Sequence, residues 1–394
     1  MKRNVKVLVV SLVALTLVLS TTSLTPAGGW RAIGHQAKRI ATQLISKHKR
    51  SQDADADPLL RQVDEAIDLT RRRRLSADVH SPWQIFHGVL AYGRDFQIKR
   101  GEELIPALKW IAGGATYDGL PLVEATADGA RFHPYTRPYA FEGHANQFLA
   151  ILSSSNLPRD FKFRAGDREV TLGDMIRQAQ LDVTADEELT WTLWSLSHYL
   201  DPEARWTNRY GEVWSLERLV QLCSLDSLSW VPCGGTHRLY AVTYARNQYL
   251  KKHRELRGAW QLADQWIQYY IQMARSMQNS DGSFSNNYFD GSGYTYDVVE
   301  RLETSGHTLE WLILALPDER LNEPWVRRAV AAVARDLIDS STEPVECGPL
   351  YHATHGLVLY RDRINAIRKR KSASTAAKEG QVAPNTPHDV GQTP

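Results

Sequence analysis

Apolar residues recur along most of this chain at intervals of three and four, the period that gives an α-helix one buried face. In the stretch 30–48, Ile33, Ala37, Ile40, Ala41 and Leu44 fall on one side. The stretch 59–69 repeats the pattern. Ser81-Pro82-Trp83 opens another helix, because proline is tolerated in a first turn, and that helix carries Phe86, Val89, Leu90 and Tyr92. Further helices are predicted at 102–111, 144–152, 172–181, 189–200, 212–225, 237–249, 256–277, 307–316, 325–338 and 355–368. The stretch 161–171 alternates instead, and Gly166 marks the turn of a small hairpin. The segments 113–139 and 278–304 show neither period and are predicted as long loops.

The helices fall into two kinds. Some are apolar nearly all round, the signature of a buried helix, and others are apolar on one face only. The two kinds alternate, and the buried ones begin near Trp83, Gly143, Glu188, Gly235, Ser305 and Leu350. That spacing is the length of a helical hairpin repeated along the chain. The pattern predicts an all-α fold, an (α/α)6 toroid of six helical hairpins with a small β-hairpin insertion and long loops. An open α-solenoid is the alternative, and the lack of obvious polar caps at the ends favours closure. A small residue and a histidine mark several of the predicted helix starts: Cys233-Gly234-Gly235-Thr236-His237, Gly143-His144, Gly306-His307 and Thr354-His355, with Phe86-His87-Gly88 as a weaker copy.

One stretch, Arg275-Ser276-Met277-Gln278-Asn279-Ser280-Asp281-Gly282-Ser283-Phe284, resembles the Gln-rich, aromatic-ended repeat of terpenoid cyclases and protein prenyltransferase β subunits. In that family the glutamine ends an outer helix, and Gly-x-aromatic opens the loop to the next inner helix. Here Phe284 stands where tryptophan is usual. The resemblance implies the toroid fold. The Asp-x-Asp-Asp acid motif of class II cyclases does not occur, and Asp53-Ala54-Asp55-Ala56-Asp57 is a linker sequence. The same fold class houses exported polysaccharide lyases, glycoside hydrolases and sugar epimerases of the acylglucosamine type.

Composition narrows the function. Among 394 residues the formal charge is +2, which excludes electrostatic nucleic-acid binding as the main role. The dense basic run Arg71-Arg72-Arg73-Arg74 reads as a solvated helix end. Lys2, Arg3 and Lys6 precede an apolar stretch from Val7 to Leu19, and Thr25-Pro26-Ala27 offers a small-residue cleavage site. Residues 1–27 are therefore read as a signal peptide or, if uncleaved, an N-terminal anchor. The body, 28–368, is expected to be exported, periplasmic or extracellular, touching a membrane only through that segment. Residues 369–394 lack apolar periodicity and are predicted to be disordered.

The candidate chemistry comes from the helix starts. If the inner helices run parallel, their N-termini meet at one mouth, where free N–H groups favour anionic ligands. His144, His237 and His307, with Glu310 three residues beyond His307, are the candidate catalytic residues. Such a carboxylate–imidazole group suits abstraction of a proton beside a sugar carboxylate, or protonation of a leaving oxygen. Glu142, Gln147, Tyr240, Tyr294 and Tyr296 are candidate substrate contacts, because aromatic rings with a polar edge suit sugars. An oligosaccharide or other small ligand is the expected partner, with no cofactor. The competing reading is a non-catalytic binding scaffold whose repeated histidines are structural joints, and an isoprenoid-handling protein is a third. Cys233 and Cys347 are read as small buried residues at equivalent joints, so no metal is assigned. A zinc site of Cys233, His237, Cys347 and His355 and a Cys233–Cys347 disulfide are the alternatives.

Overall fold

The computed structural model describes residues 57–134, 137–225, 227–229 and 231–379. The leader 1–27, the predicted helix 30–48 and the tail beyond 379 lie outside them. The chain divides into two compact units, Met1–Arg61 and Gln62–Pro394, and the second carries the helical body.

The described residues form twelve α-helices and five two-stranded antiparallel sheets, so the fold is mostly α. The helices are α1 (Pro58–Arg72), α2 (Pro82–Tyr92), α3 (Ala107–Ala112), α4 (Gln147–Ser153), α5 (Leu172–Asp182), α6 (Thr190–Tyr199), α7 (Leu216–Ser224), α8 (Thr236–Lys252), α9 (Gly258–Ser276), α10 (Val298–Ala315), α11 (Pro324–Asp339) and α12 (Cys347–Glu379). Local chemistry starts several of them. The Ser81 hydroxyl accepts from the Gln84 N–H while the Gln84 side chain accepts from the Ser81 N–H, a capping box with Pro82 in the first turn. Thr171 and Asp174 do the same for α5.

Burial alternates along the chain. Every residue of α4 is buried, as are Thr190 to Ser197 of α6 and Thr304 to Ile313 of α10. By contrast α11 buries one stripe, including Trp325, Val326, Ala329, Val330, Val333 and Leu337. The even-numbered helices pack in succession: α2 on α4, α4 on α6, α6 on α8, α8 on α10, α10 on α12, and α12 back on α2. The odd-numbered helices α7, α9 and α11 each touch both of their sequence neighbours, and α5 packs on α6. Gln278, just beyond α9, ties that joint together. Its amide nitrogen donates to the Gly282 and Trp325 carbonyls, and Phe284 is buried beside it.

Several expectations are corrected. The predicted helix 102–111 is a strand, Glu103–Pro106, followed by the short α3. Hairpins are more numerous than the single insertion foreseen. Besides Lys162–Ala165 with Arg168–Thr171, whose turn holds Gly166 at φ +64°, pairs occur at 97–106, 116–121, 123–132 and 205–215. His307 and His355 do not start helices. Asp297 caps α10 ten residues before His307, accepting from Val299 and Glu300 N–H groups, and α12 begins at Cys347. The first turns of α10 escaped the hydrophobic pattern because they bury charge: Arg301 is held between Asp281 and Asp336. The last helix also continues past 368 to Glu379, where disorder was expected.

Candidate functional site

Two local features assemble the site. The first is the entry to α8. Cys233, Gly234 and Gly235 adopt positive φ in succession, +53°, +59° and +69°. At Gly234 an added Cβ would lie 2.1 Å from the Tyr288 ring, so only glycine fits. Cys233 has no such exemption and sits in a backbone region that costs a side-chain-bearing residue about 1 kcal/mol. The Thr236 hydroxyl donates to the Cys233 carbonyl at 2.8 Å, which holds the thiol beside the first turn of α8, where His237 lies.

The second feature is the contact of α10 with α12. Gly306 lies so close to Ala353 that an added Cβ would stand 2.7 Å from its Cβ and 2.9 Å from its Cα. This close approach sets the next residues of α10 against those of α12. Glu310 accepts from His352 Nδ1 at 2.7 Å and from His355 Nδ1 at 2.5 Å. His307 donates its Nδ1 hydrogen to the Glu303 carbonyl at 2.6 Å, which leaves Nε2 to meet the Cys233 side chain. The His307 and His352 rings stack at 4.2 Å, and His237 stands 4.8 Å from His352 and 5.0 Å from His307. His87 on α2 closes the group, 5.3 Å from His352. One ligand atom each from Cys233, His237 and His307 lies within 4.8 Å of the others.

The electrostatics of this group are uneven. Burial opposes charge on Glu310, yet the His352 and His355 N–H groups outweigh it and hold the carboxyl well below its ordinary range. His352 is pushed down to about 4, by burial first, against the pull of Glu310. Burial and His352 likewise lower His87 to about 3 and take His237 well below its ordinary value. Within the group His307 is raised, to about 9: burial is overcome by the Cys233 thiol, Glu310 and the Glu303 carbonyl. Neutral imidazoles thus surround one ionised carboxylate and one imidazole that favours its proton.

Of the predicted residues, the fold brings His237, His307 and Glu310 together, with Tyr240 at the edge, 6.2 Å from His355. His144 stands outside this group, bonded to Glu188 at 2.5 Å with both side chains 37% exposed. Its ring stacks on Trp191, which packs 4.9 Å from His237. Glu142 and Gln147 hold the start of α4, accepting from the Phe148 and Gly143 N–H groups. Tyr294 and Tyr296 pair edge-on at the surface, where Tyr296 is 89% exposed. His352 was not among the candidates, although His352-x-x-His355 has the spacing of one helix face, and His87 entered only as a weaker copy of the helix-start pattern, because neither follows a small residue as the others do. Neither alternative for Cys347 is formed. None of the three cysteines is in a disulfide, Cys347 is buried and pushed up to about 12, and the set that converges on Cys233 takes His307 in place of Cys347 and His355. Two open surface clefts of about 520 and about 480 Å3 share Glu203, Tyr249 and Arg257, and no residue of the histidine group lines either.

Glu142 has a consequence for stability. Burial raises its carboxyl to about 8, against weaker opposition from the Phe148 N–H and Arg131. An ordinary carboxyl loses its proton near 4.5. Between those pH values the unfolded chain has released a proton that the folded chain keeps, so stability falls as pH rises, by about 1.4 kcal/mol per unit. Glu142→Gln is expected to flatten this slope and to stabilise the protein at pH 8 by about 3–5 kcal/mol. Thermal melts from pH 5 to 8 test it, and an unchanged slope in the variant would refute the assignment.

Comparison with known proteins finds no counterpart: no family model matches the chain, and neither a curated protein nor a solved structure matches it.

Proposed function

We propose that this protein is an enzyme that moves protons at the histidine group between α8, α10 and α12, cleaving a hydroxyl-rich substrate such as an oligosaccharide by hydrolysis or elimination. One observation carries the reading. His352 and His355 each commit Nδ1 to Glu310, leaving Nε2 as the working nitrogen, which is how general acid–base histidines are oriented. Glu310 is the positioning residue behind them. Cys233 and His237 are the partly exposed members and offer the way in. The buried indole N–H groups of Trp191 and Trp194, beside His237 and Tyr240, have no hydrogen-bond partner in the protein. Free buried donors of this kind support a substrate rich in acceptors.

The fold proposed for this activity is the (α/α)6 toroid. The successive packing of six helices, with the last on the first, and the Gln278 joint support it. Export of the body is proposed on the basic and apolar start of the chain. The test is a panel of neutral and uronate-containing oligosaccharides, read by new reducing ends and by the ultraviolet absorbance of unsaturated uronates. Cleavage of one class is expected, falling about 100- to 10,000-fold in His352→Ala. Absence of cleavage across the panel, or cleavage undiminished in His352→Ala, would overturn the proposal.

A further inference from the structure

We infer that Cys233, His237 and His307 bind a divalent transition-metal ion, Zn2+ by preference, and leave one coordination position open. One thiolate and two imidazoles form a borderline-soft donor set that suits zinc and not magnesium or calcium. Three protein ligands, rather than four, are the arrangement of zinc sites that keep a place for water or substrate. Their ligand atoms already lie within 4.8 Å of one another. A tetrahedral zinc site needs about 3.3–3.6 Å between neighbouring ligands, from bond lengths of about 2.0–2.3 Å. The remaining closure falls to Cys233 and His237, the two half-buried members, while buried His307 stays in place.

Four further observations point the same way. The His307 Nδ1 bond to the Glu303 carbonyl fixes the tautomer that presents Nε2, as in the outer-shell bonds that orient metal-binding histidines. Glu303 accepts a second, longer bond from the Tyr288 hydroxyl at 3.4 Å, and the Tyr288 ring covers Gly234, so one residue braces both sides of the site. The Nε2 atom of His237 is buried and has no partner. A buried nitrogen of this kind costs stability unless something occupies it. The Glu310 carboxylate, on the same helix face as His307, adds negative charge favourable to a dication. On binding, the Cys233 thiol proton and the proton on His307 Nε2 pass to solvent, and the lone pairs of the sulfur and of the two imidazole nitrogens form the bonds to the metal.

The inference is read from metal content and spectra without any turnover, so its failure is distinct from failure of the proton-transfer proposal. The full chain is purified without chelator, or stripped and reloaded with Zn2+ or Co2+. About one zinc per chain is expected by elemental analysis. The cobalt form is expected to show tetrahedral visible bands and a thiolate-to-cobalt band in the near ultraviolet. Cys233→Ser is expected to lose that band and to weaken zinc binding by more than about 100-fold. His237→Gln, at a partly exposed position, is expected to weaken it while folding normally. Cys347→Ser is expected to behave as the parent. Zinc is also expected to protect Cys233 from iodoacetamide. The inference is overturned if the parent chain retains no zinc at micromolar Zn2+. It is equally overturned if Cys233→Ser and His237→Gln keep the parent's stoichiometry and spectrum, which would place the metal elsewhere.

Discussion

Glu310→Ala is expected to lower stability by about 3–5 kcal/mol, the cost of removing one member of a buried, hydrogen-bonded polar group. The carboxylate is 3% exposed and accepts both the His352 and the His355 Nδ1 hydrogens. Its loss leaves two buried N–H donors without acceptors in a region that water does not reach freely. Glu310→Gln keeps the shape but offers one acceptor and one NH2 group. One of the two histidines must then switch tautomer, and the expected cost is smaller, about 1–3 kcal/mol. Thermal and urea unfolding measure the loss, and nitrogen-15 spectra of the imidazoles report which histidine switches. A Glu310→Ala chain that melts with the parent would mean that Glu310 does not hold the group together.

Gly306→Val is expected to cost about 3 kcal/mol or more, by a different route. The Cβ of any residue at 306 meets the Ala353 Cβ at 2.7 Å and its Cα at 2.9 Å. Backbone atoms cannot turn aside as a flexible side chain can, so α10 and α12 must separate, and overpacking of this kind costs about 1–3 kcal/mol even for small additions. Separation would also pull Glu310 from its two histidines. Gly306→Ala is milder, since alanine recovers about 0.5–1 kcal/mol of helix propensity. The check is a double-mutant cycle with Ala353→Gly, which should restore most of what Gly306→Ala loses. Strict additivity of the two changes would show that the clash is not at Ala353.

The same glycine shows where reading the chain alone goes astray. Gly306-His307 looks like a helix start, because a small residue before a histidine and an apolar run is a familiar cap. In the fold it lies in mid-helix, and its small size serves the approach of a second helix. Conversely, the real start at Asp297 is a good capping residue whose first turns carry Glu300, Arg301 and Glu303. Charge in those turns hid the helix, and the Asp281–Arg301–Asp336 pairing that permits it involves residues far apart in sequence.

Features that depend on near neighbours were legible along the chain. Helical periodicity, the capping of α2, the hairpin turn at Gly166 and the alternation of wholly buried with one-sided helices are set by residues within a few positions of one another. His237, His307 and Glu310 also stood among the candidates, because a small residue and a histidine before an apolar run read as a helix start, which holds for His237 but not for His307. Their partners came from packing. Cys233, His307 and His352 meet across three helical segments, His144 and the surface tyrosines lie outside the group, and Cys347 takes no part. A periodic pattern records which face of a helix is buried but not which helix lies against it. That choice rests on shape: a glycine opposite an alanine, and a carboxylate within reach of two imidazoles.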